Sequence, residues 1–260
     1  MSKTVSVVTT TYEDLTHLKA VVDGIKKQNY SHIQYIVVDG GSKDGTIRFL
    51  QDLETDFAKH AGWELKWISE SDHGIYDAIN KGVRMATGDI VGVMFDKFAT
   101  DDVISKMVSV MEREDSDGVH GDLIYVDEQG KPIRKWVMGN TQTIRDGWMP
   151  AHQTLYLKRE VYEKYGVYKT DYKIAADYEF IVRILQDKSI RLSYIPEVLV
   201  HMFYGGTSSG GLTNYIHSFM ESYRALKENH VPFAFFICTK RTMKVLWQFV
   251  KAACQKKETK

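Results

Sequence analysis

YIVVDGGSKDGT, from Tyr35 to Thr46, is the stretch from which the rest of the chain can be read. Tyr35, Ile36, Val37 and Val38 form an apolar, β-branched-rich run that predicts a strand buried on both faces. Asp39 ends the run, and Gly40, Gly41, Ser42, Asp44 and Gly45 lead into IRFLQDLETDF. There Ile47, Leu50, Leu53 and Phe57 recur at helical spacing. The local order is therefore strand, acidic turn, helix. In an open α/β sheet, ligands bind outside the carboxyl ends of the strands, and an Asp there can accept hydrogen bonds from a ribose or a base. Paired glycines let a ligand approach backbone amides closely. The same residues also suit an ordinary turn with an Asp or Ser helix cap.

The flanking sequence repeats the pattern. VSVVTTTY (Val5 to Tyr12) predicts a first strand, and Leu15, Leu18, Val22 and Ile25 line one face of a following helix. LKWISE predicts a short strand, which delivers the loop Ser71-Asp72-His73-Gly74. A helix follows with Tyr76, Ile79, Val83 and Ala86 on one face, then the apolar run DIVGVMF, Asp89 to Phe95. This alternation predicts an α/β fold: an open, mostly parallel sheet flanked by helices. After Asp96 the rhythm changes. Thr100, Asp101 and Asp102 read as the start of a helix, because carboxylates favour a helix N-terminus. Gly121 to Met138 predicts a hairpin turning at 128–131, HQTLYL a short strand, KIAADYEFIVRILQ a helix, and SIRLSYIPEVLVHMFY an extended segment. Gly205 to Gly211 is a glycine- and serine-rich loop suited to closing over a ligand.

The chain has 260 residues, 43% apolar and 26% charged, which suits one main globular domain with an appendage. Lys+Arg and Asp+Glu number 34 each, so nothing in the overall charge points to nucleic acid. From Val231 to Lys260, however, seven Lys and Arg face the single acid Glu258, making this segment +6 and the remainder −6. Within it, Met243, Leu246, Trp247 and Val250 share one helix side and Lys240, Lys244 and Lys251 another. Such a basic amphipathic helix suits either an anionic membrane surface or packing on the domain. The two cysteines, Cys238 and Cys254, show no zinc or redox spacing and read as free thiols. With no leader-like N-terminus and no long apolar stretch, the expected location is cytoplasmic, peripheral on the inner face of the membrane.

Taken together, SVVTTTYE, IVVDGGSKDGT, SESDHGIYDAINKG, ATGDIVG, Ala151-His152-Gln153 and AADYEF resemble, in this order, the motifs of family 2 glycosyltransferases with the GT-A fold. The similarity is to the branch common in bacterial surface-polysaccharide biosynthesis, and it runs from Val5 to Ser209. It implies a GT-A domain over 1–209, with a nucleotide-sugar-binding half (1–98) and an acceptor and catalytic half (99–209). The remaining 210–260 form a helical, basic amphipathic tail. The implied reaction is transfer of a sugar, with inversion, from a nucleotide donor, UDP-linked by resemblance, to the hydroxyl of a glycan or lipid-linked acceptor.

The resemblance also assigns residues. Thr9, Thr11, Tyr12 and Glu13 match the first nucleotide-contacting loop, Asp39 the base-contacting carboxylate, and Gly41 the turn beside it. Asp72, Gly74, Asp77, Asn80 and Lys81 match the element flanking ribose and donor sugar. His152 and Gln153 match an acceptor- or sugar-facing pair. An acceptor hydroxyl is a poor nucleophile at neutral pH and needs a group to take its proton. Asp177 matches the family's base and Glu179 the second acid of that motif.

One departure stands out. Family members usually place an Asp-x-Asp or Asn-x-Asp-Asp cluster after the strand that here is DIVGVMF, and hard oxygen ligands of that kind hold Mn2+ or Mg2+ beside the leaving diphosphate. Here the residues are Phe95-Asp96-Lys97-Phe98. Asp96 with His201 then becomes the expected metal set, with Lys97 as an alternative source of positive charge. The competing reading is a catalytically impaired nucleotide-sugar-binding or partner protein with a degenerate metal site. A nucleotidyltransferase would carry a glycine-rich basic loop after the first strand, where TTTYED stands instead.

Overall fold

The computed structural model describes residues 2–127, 129–141, 143–204, 211–244 and 247. The first half alternates as its periodicities predict: β1 (Val5–Thr11), α1 (Leu15–Lys26), β2 (Ile33–Asp39), α2 (Thr46–Phe57), β3 (Glu64–Ser69), α3 (Ile75–Met85) and β4 (Ile90–Val93). The second half holds β5 (Lys97–Phe98), α4 (Val103–Glu114), β6 (Gly118–Val126), β7 (Pro132–Trp136), β8 (Tyr156–Lys158), α5 (Arg159–Tyr165), α6 (Ala176–Ile184), β9 (Leu192–Phe203) and α7 (Gly211–Glu228). A further helical stretch covers 234–244.

The strands form one sheet in the order β3-β2-β1-β4-β8-β6-β9-β5, with β7 added beside β6. β3, β2, β1 and β4 run parallel. β8 then lies antiparallel between β4 and β6, and β9 returns parallel to β6. Because β2 and β4 flank β1 on opposite sides, the chain reverses its winding direction at β1, and the crevice there opens at the carboxyl ends of β1 and β4. Open α/β sheets bind ligands at this kind of switch point.

Alternation along the strands divides the core. Val5 and Val7 of β1 and Tyr35 and Val37 of β2 pack with α1, α2 and α4, whereas Val8 and Ile36 face α3, α5, α6 and α7. Each strand is thus covered on both faces, which is why its sequence reads as a continuous apolar run. Two glycines are required by close approach. A Cβ on Gly82 would lie 2.3 Å from the Val8 side chain, so α3 can sit on β1 only with glycine there. A Cβ on Gly92 would lie 2.3 Å from the Tyr156 ring.

Several boundaries differ from the sequence expectation. HQTLYL splits into a single 3-10 turn, His152–Thr154, and the short β8. The helix expected over KIAADYEFIVRILQ begins only at Ala176, because Lys173 to Ala175 are held in a loop. Asp102 does sit at the N-cap of α4, where it pairs with Lys106 at 3.2 Å. The glycine- and serine-rich loop expected to close over a ligand lies, at 205–210, outside the described residues.

Candidate active site

The loops at the carboxyl edge are tied to one another. Gly40 N–H donates to Thr11 O (2.9 Å), Glu13 N–H to Ser42 Oγ (2.7 Å), Lys43 N–H to Glu13 Oε1 (3.0 Å), and Leu15 N–H to Asp44 Oδ2 (2.8 Å). The β1–α1 and β2–α2 loops therefore form one unit. Glu13 takes a positive φ of 51° and Gly41 one of 86°, the left-handed region that favours glycine at the second position. Thr9 lies below this unit and donates its hydroxyl to Met94 O (2.7 Å), fastening β1 to the end of β4.

Asp39 is fully buried. Its carboxylate accepts from Gly41 N–H (3.2 Å), Ser42 N–H (3.0 Å), Ser42 Oγ (2.5 Å) and Ser69 Oγ (2.5 Å). As placed, this Asp is the scaffold of the β2–α2 turn. The surface above it is built by Tyr12, which is 66% exposed, and by Asp72. A Cβ on Gly40 would meet the Tyr12 ring at 3.0 Å and Asp72 Oδ2 at 3.4 Å, so ring, glycine and carboxylate bound one recess.

Lys81 draws the β3–α3 loop together. Its ammonium lies 2.7 Å from Asp72 Oδ1, 2.8 Å from Glu70 Oε1 and 3.8 Å from Asp77 Oδ2, and it also donates to Ser71 O. Asp72 and Glu70 hold its pKa above the ordinary lysine range. Asp77 in turn accepts from His73 N–H at 3.0 Å, and Gly74 stands at the N-cap with φ 110°. Asn80 lies in the interior. Its amide donates to Tyr168 O (2.7 Å) and accepts from Tyr168 N–H (2.9 Å), pinning the segment that leads toward α6. The residue expected beside the donor sugar is thus a buried clip, with its amide groups engaged by one backbone unit.

Across the crevice, half-buried Asp177 opens α6. Tyr76 Oη donates to Ile174 O (2.7 Å) and lies 3.3 Å from Asp177 Oδ1, so α3 reaches the start of α6. Burial pushes the Tyr76 phenol well above its ordinary range, and the Asp177 charge adds to the effect. His152 Nε2 is 2.8 Å from Tyr168 Oη. Burial lowers its pKa, while the charge of Asp177 pulls it upward. The preceding loop is held from the other side by Glu221 of α7, which accepts from the N–H groups of Lys173, Ile174 and Ala175 at 2.8, 2.9 and 2.8 Å.

Glu179, the second acid of the AADYEF motif, lies two residues beyond Asp177 on α6. It is fully buried and points into the packing around α6, where Lys169 (3.0 Å), Arg183 (3.0 Å) and Asn229 (3.2 Å) satisfy it. A buried carboxylate so paired holds its helix in place.

Asp96 lies at the end of the β4 segment. Oδ2 accepts from Gln153 Nε2 (2.8 Å) and Oδ1 from Phe203 N–H (3.0 Å), while Gln153 Oε1 accepts from Phe95 N–H (2.9 Å). Gln153 thus joins the 3-10 turn at 152–154 to the β4 end. The imidazole beside Asp96 is His17, with Nε2 3.9 Å from Oδ1, and not the expected His201. His201 is exposed and stands opposite Lys97 in the β5–β9 register. Among the described residues, no three His, Cys, Asp or Glu side chains come together. A divalent cation prefers six or more oxygen ligands, and one carboxylate already accepting two hydrogen bonds does not make such a cage. These residues do not fit a resident Mn2+ or Mg2+ held by the protein alone, and the expected Asp96–His201 pair is not formed.

Tyr76, Tyr168, His17 and Glu221 are the residues that sequence reasoning missed. Tyr76 carried a signal only as part of a helix face; the other three carried none.

A parallel sheet that reverses its winding at β1, with knitted loops over the carboxyl ends of its strands, is the arrangement of a nucleotide-binding α/β fold. The chain belongs to glycosyl transferase family 2, whose family model matches residues 6–168. It is 33% identical over 192 residues to an uncharacterized glycosyltransferase of Mycobacterium tuberculosis, covering 69% of this chain and 68% of that one. It is 28% identical over 202 residues to the PGL/p-HBAD biosynthesis glycosyltransferase of Mycobacterium bovis, covering 76% and 75%. Among solved structures, the Pyrobaculum calidifontis mannosyltransferase PcManGT, in complex with GDP-Man and Mn2+, superposes with TM-score 0.67 at 19% identity, over 98% of this chain and 74% of that one. S. aureus TarS 1-349 in complex with UDP gives TM-score 0.65 at 13% identity, over 86% and 65%. The chain spans 39% of the longer TarS chain. No helix among the described residues is long and apolar enough to cross a membrane.

Proposed function

We propose that this protein is an inverting glycosyltransferase that moves a hexose from a nucleoside diphosphate sugar, UDP-linked in the first instance, to the hydroxyl of a lipid-linked glycan. The setting proposed is surface-polysaccharide assembly at the cytoplasmic face of the membrane. The observation that carries the reading is Asp177, half-buried at the start of α6 and facing the nucleotide-side loops through Tyr76. Direct displacement at an anomeric carbon requires one base on the acceptor side, and a carboxylate braced by a neighbouring tyrosine serves that role.

The recess formed by Tyr12, Gly40 and Asp72 supports a base-binding role. The Tyr12 ring offers a stacking face, and Asp72 Oδ2 offers an acceptor for a ring N–H. Lys81, encircled by carboxylates, orders the loop that flanks the ribose. Asp96 would offer one oxygen ligand to a divalent cation arriving with the donor, which would offset the charge of the leaving diphosphate. Relatives of the same fold bind UDP or GDP-Man with Mn2+, which supports this donor class. The incomplete acidic cluster favours a second reading, a nucleotide-sugar-binding protein without transfer.

A thermal-shift series with UDP, GDP, dTDP and CMP, each with and without Mn2+, tests the donor site. A ligand at 100 times its Kd adds about 2.7 kcal/mol of stability. The expected result is a shift with UDP that Mn2+ increases, and none with Mn2+ alone. No shift with any nucleotide would refute the proposal. A shift without transfer from any nucleotide sugar would favour the second reading.

A further inference from the structure

The helix at 234–244 in the C-terminal segment buries Ala234, Ile237 and Cys238 in the core, as an amphipathic helix packed on a domain does. Here cationic groups contact the domain. Lys240 Nζ lies 2.6 Å from Asp146 Oδ1, Lys244 Nζ donates to Asp146 O (2.7 Å), and the Arg241 guanidinium sits 4.3 Å from the Tyr178 ring centre. Other apolar side chains of the segment turn out: Phe236 is 70% exposed, Met243 65% and Trp247 60%.

The face continues onto α7, where Ile216, Met220 and Tyr223 are exposed at helical spacing. Phe219 of α7 meets Phe235 ring to ring at 6.2 Å, joining the two rows. At the turn between them Phe233 is 74% exposed and held at φ 61°, a left-handed conformation that an aromatic residue rarely adopts. Contiguous exposed apolar surface of this kind marks an interaction site.

Charge identifies the occupant. No acidic residue occurs from Asn229 to Lys257, while Lys251, Lys256 and Lys257 follow in the sequence. Exposed Lys227 lines the same groove as Tyr223, Phe233 and Phe236. The acids of α7 are engaged elsewhere: Glu221 by the loop at 173–175, and Glu228 by Arg224 and Lys169. A bilayer with anionic headgroups accepts both features, with apolar side chains entering the acyl boundary and cations meeting phosphate.

We infer that α7 and the helix at 234–244 form a docking face for an anionic lipid bilayer, entered by Met220, Phe233, Phe236 and Trp247. The inference rests on the lipid-linked acceptor reading, and it gives that reading a geometry. α7 holds the Asp177 loop through Glu221, so the bilayer lies on the acceptor side of the crevice.

The test is co-flotation of the full chain with vesicles of phosphatidylcholine alone or mixed with phosphatidylglycerol. Binding is expected only to the mixed vesicles, weakening as salt is raised. Met220→Ser with Phe236→Ser should cost roughly tenfold or more in partitioning, and Lys227→Glu a smaller factor, while the nucleotide-induced thermal shift stays at the wild-type value. Equal binding to both vesicle types, or none, overturns the inference. So does a concentration-dependent dimer that the same substitutions abolish, because a second copy would then be the occupant. Loss of the nucleotide shift in the wild type would instead refute the donor-site reading and leave vesicle binding as a separate result.

Discussion

Replacing Glu221 should slow turnover without loosening the donor. Its carboxylate holds three consecutive N–H groups, those of Lys173, Ile174 and Ala175, two residues ahead of Asp177. The Lys173 N–H is exposed and rehydrates when Glu221 is lost, so its share is small. The Ile174 and Ala175 bonds are partly buried, and hydrogen bonds to a charged acceptor contribute about 1.5–3 kcal/mol each. With partial solvent access, the lower half of that range applies, giving a total of about 3–4.5 kcal/mol. For a domain of this size, that corresponds to a fall in Tm of roughly 5–10 °C. Tyr76 continues to hold Ile174 O, so the loop is loosened on one side only. A displacement of the base by about 1 Å costs on the order of a hundredfold in rate. The assay is steady-state transfer beside calorimetric nucleotide binding for Glu221→Ala and Glu221→Gln. The expected pattern is a kcat lowered roughly ten- to a hundredfold with nucleotide Kd unchanged. The Gln variant, which retains one acceptor oxygen, should fall between wild type and Ala. Unchanged turnover with a lowered Tm, or a Kd that weakens in step with kcat, would refute the reasoning.

Asn80→Ala strands the buried N–H and C=O of Tyr168, so unfolding in denaturant should show a loss of about 2–5 kcal/mol, and Asn80→Asp should recover only part of it. His120 supplies an acid-side prediction. Both its ring nitrogens lack a hydrogen-bond partner, and it lies between Trp148 and Tyr194 with Asp122 as the neighbouring charge. Burial lowers its pKa from 6.5 to about 4. The unfolded chain therefore binds a proton between these values when the folded one does not, and stability falls as pH drops through that window. The slope reaches about 1.4 kcal/mol per pH unit and the total is about 3 kcal/mol. Chemical denaturation of His120→Leu at pH 7 and pH 4 should show a smaller loss than wild type, and an equal loss would assign the acid sensitivity to other groups.

The parallel half of the fold was legible because its signals are local. An apolar run, a glycine- and acid-rich turn and a helix period lie within a single strand-to-helix unit, and β2 through α2 formed where YIVVDGGSKDGT and IRFLQDLETDF predicted. Asp177 stood out in sequence through the resemblance carried by AADYEF; the fold places it in the first turn of α6, and its role as base is proposed. Asn80 and Glu179 looked like site residues in sequence, yet their partners Tyr168 and Asn229 lie 88 and 50 positions away, and only the fold shows those side chains already engaged. Asp39 was correctly placed at the strand end, but its burial depends on Ser69 from the next strand, 30 residues on. For the C-terminal helix, periodicity separated a basic from an apolar side without saying which would meet the domain. Both do: Ile237 and Cys238 are buried, and Asp146 draws in Lys240 and Lys244.

The central claim is that Asp177 takes the acceptor proton in a transfer reaction whose donor binds across the crevice. The direct measurement is product formation from a labelled nucleotide sugar by wild type and Asp177→Asn, with nucleotide binding measured on the same samples. The account predicts that Asp177→Asn loses at least about a hundredfold in transfer while binding nucleotide as wild type does. Transfer by Asp177→Asn at the wild-type rate would contradict it.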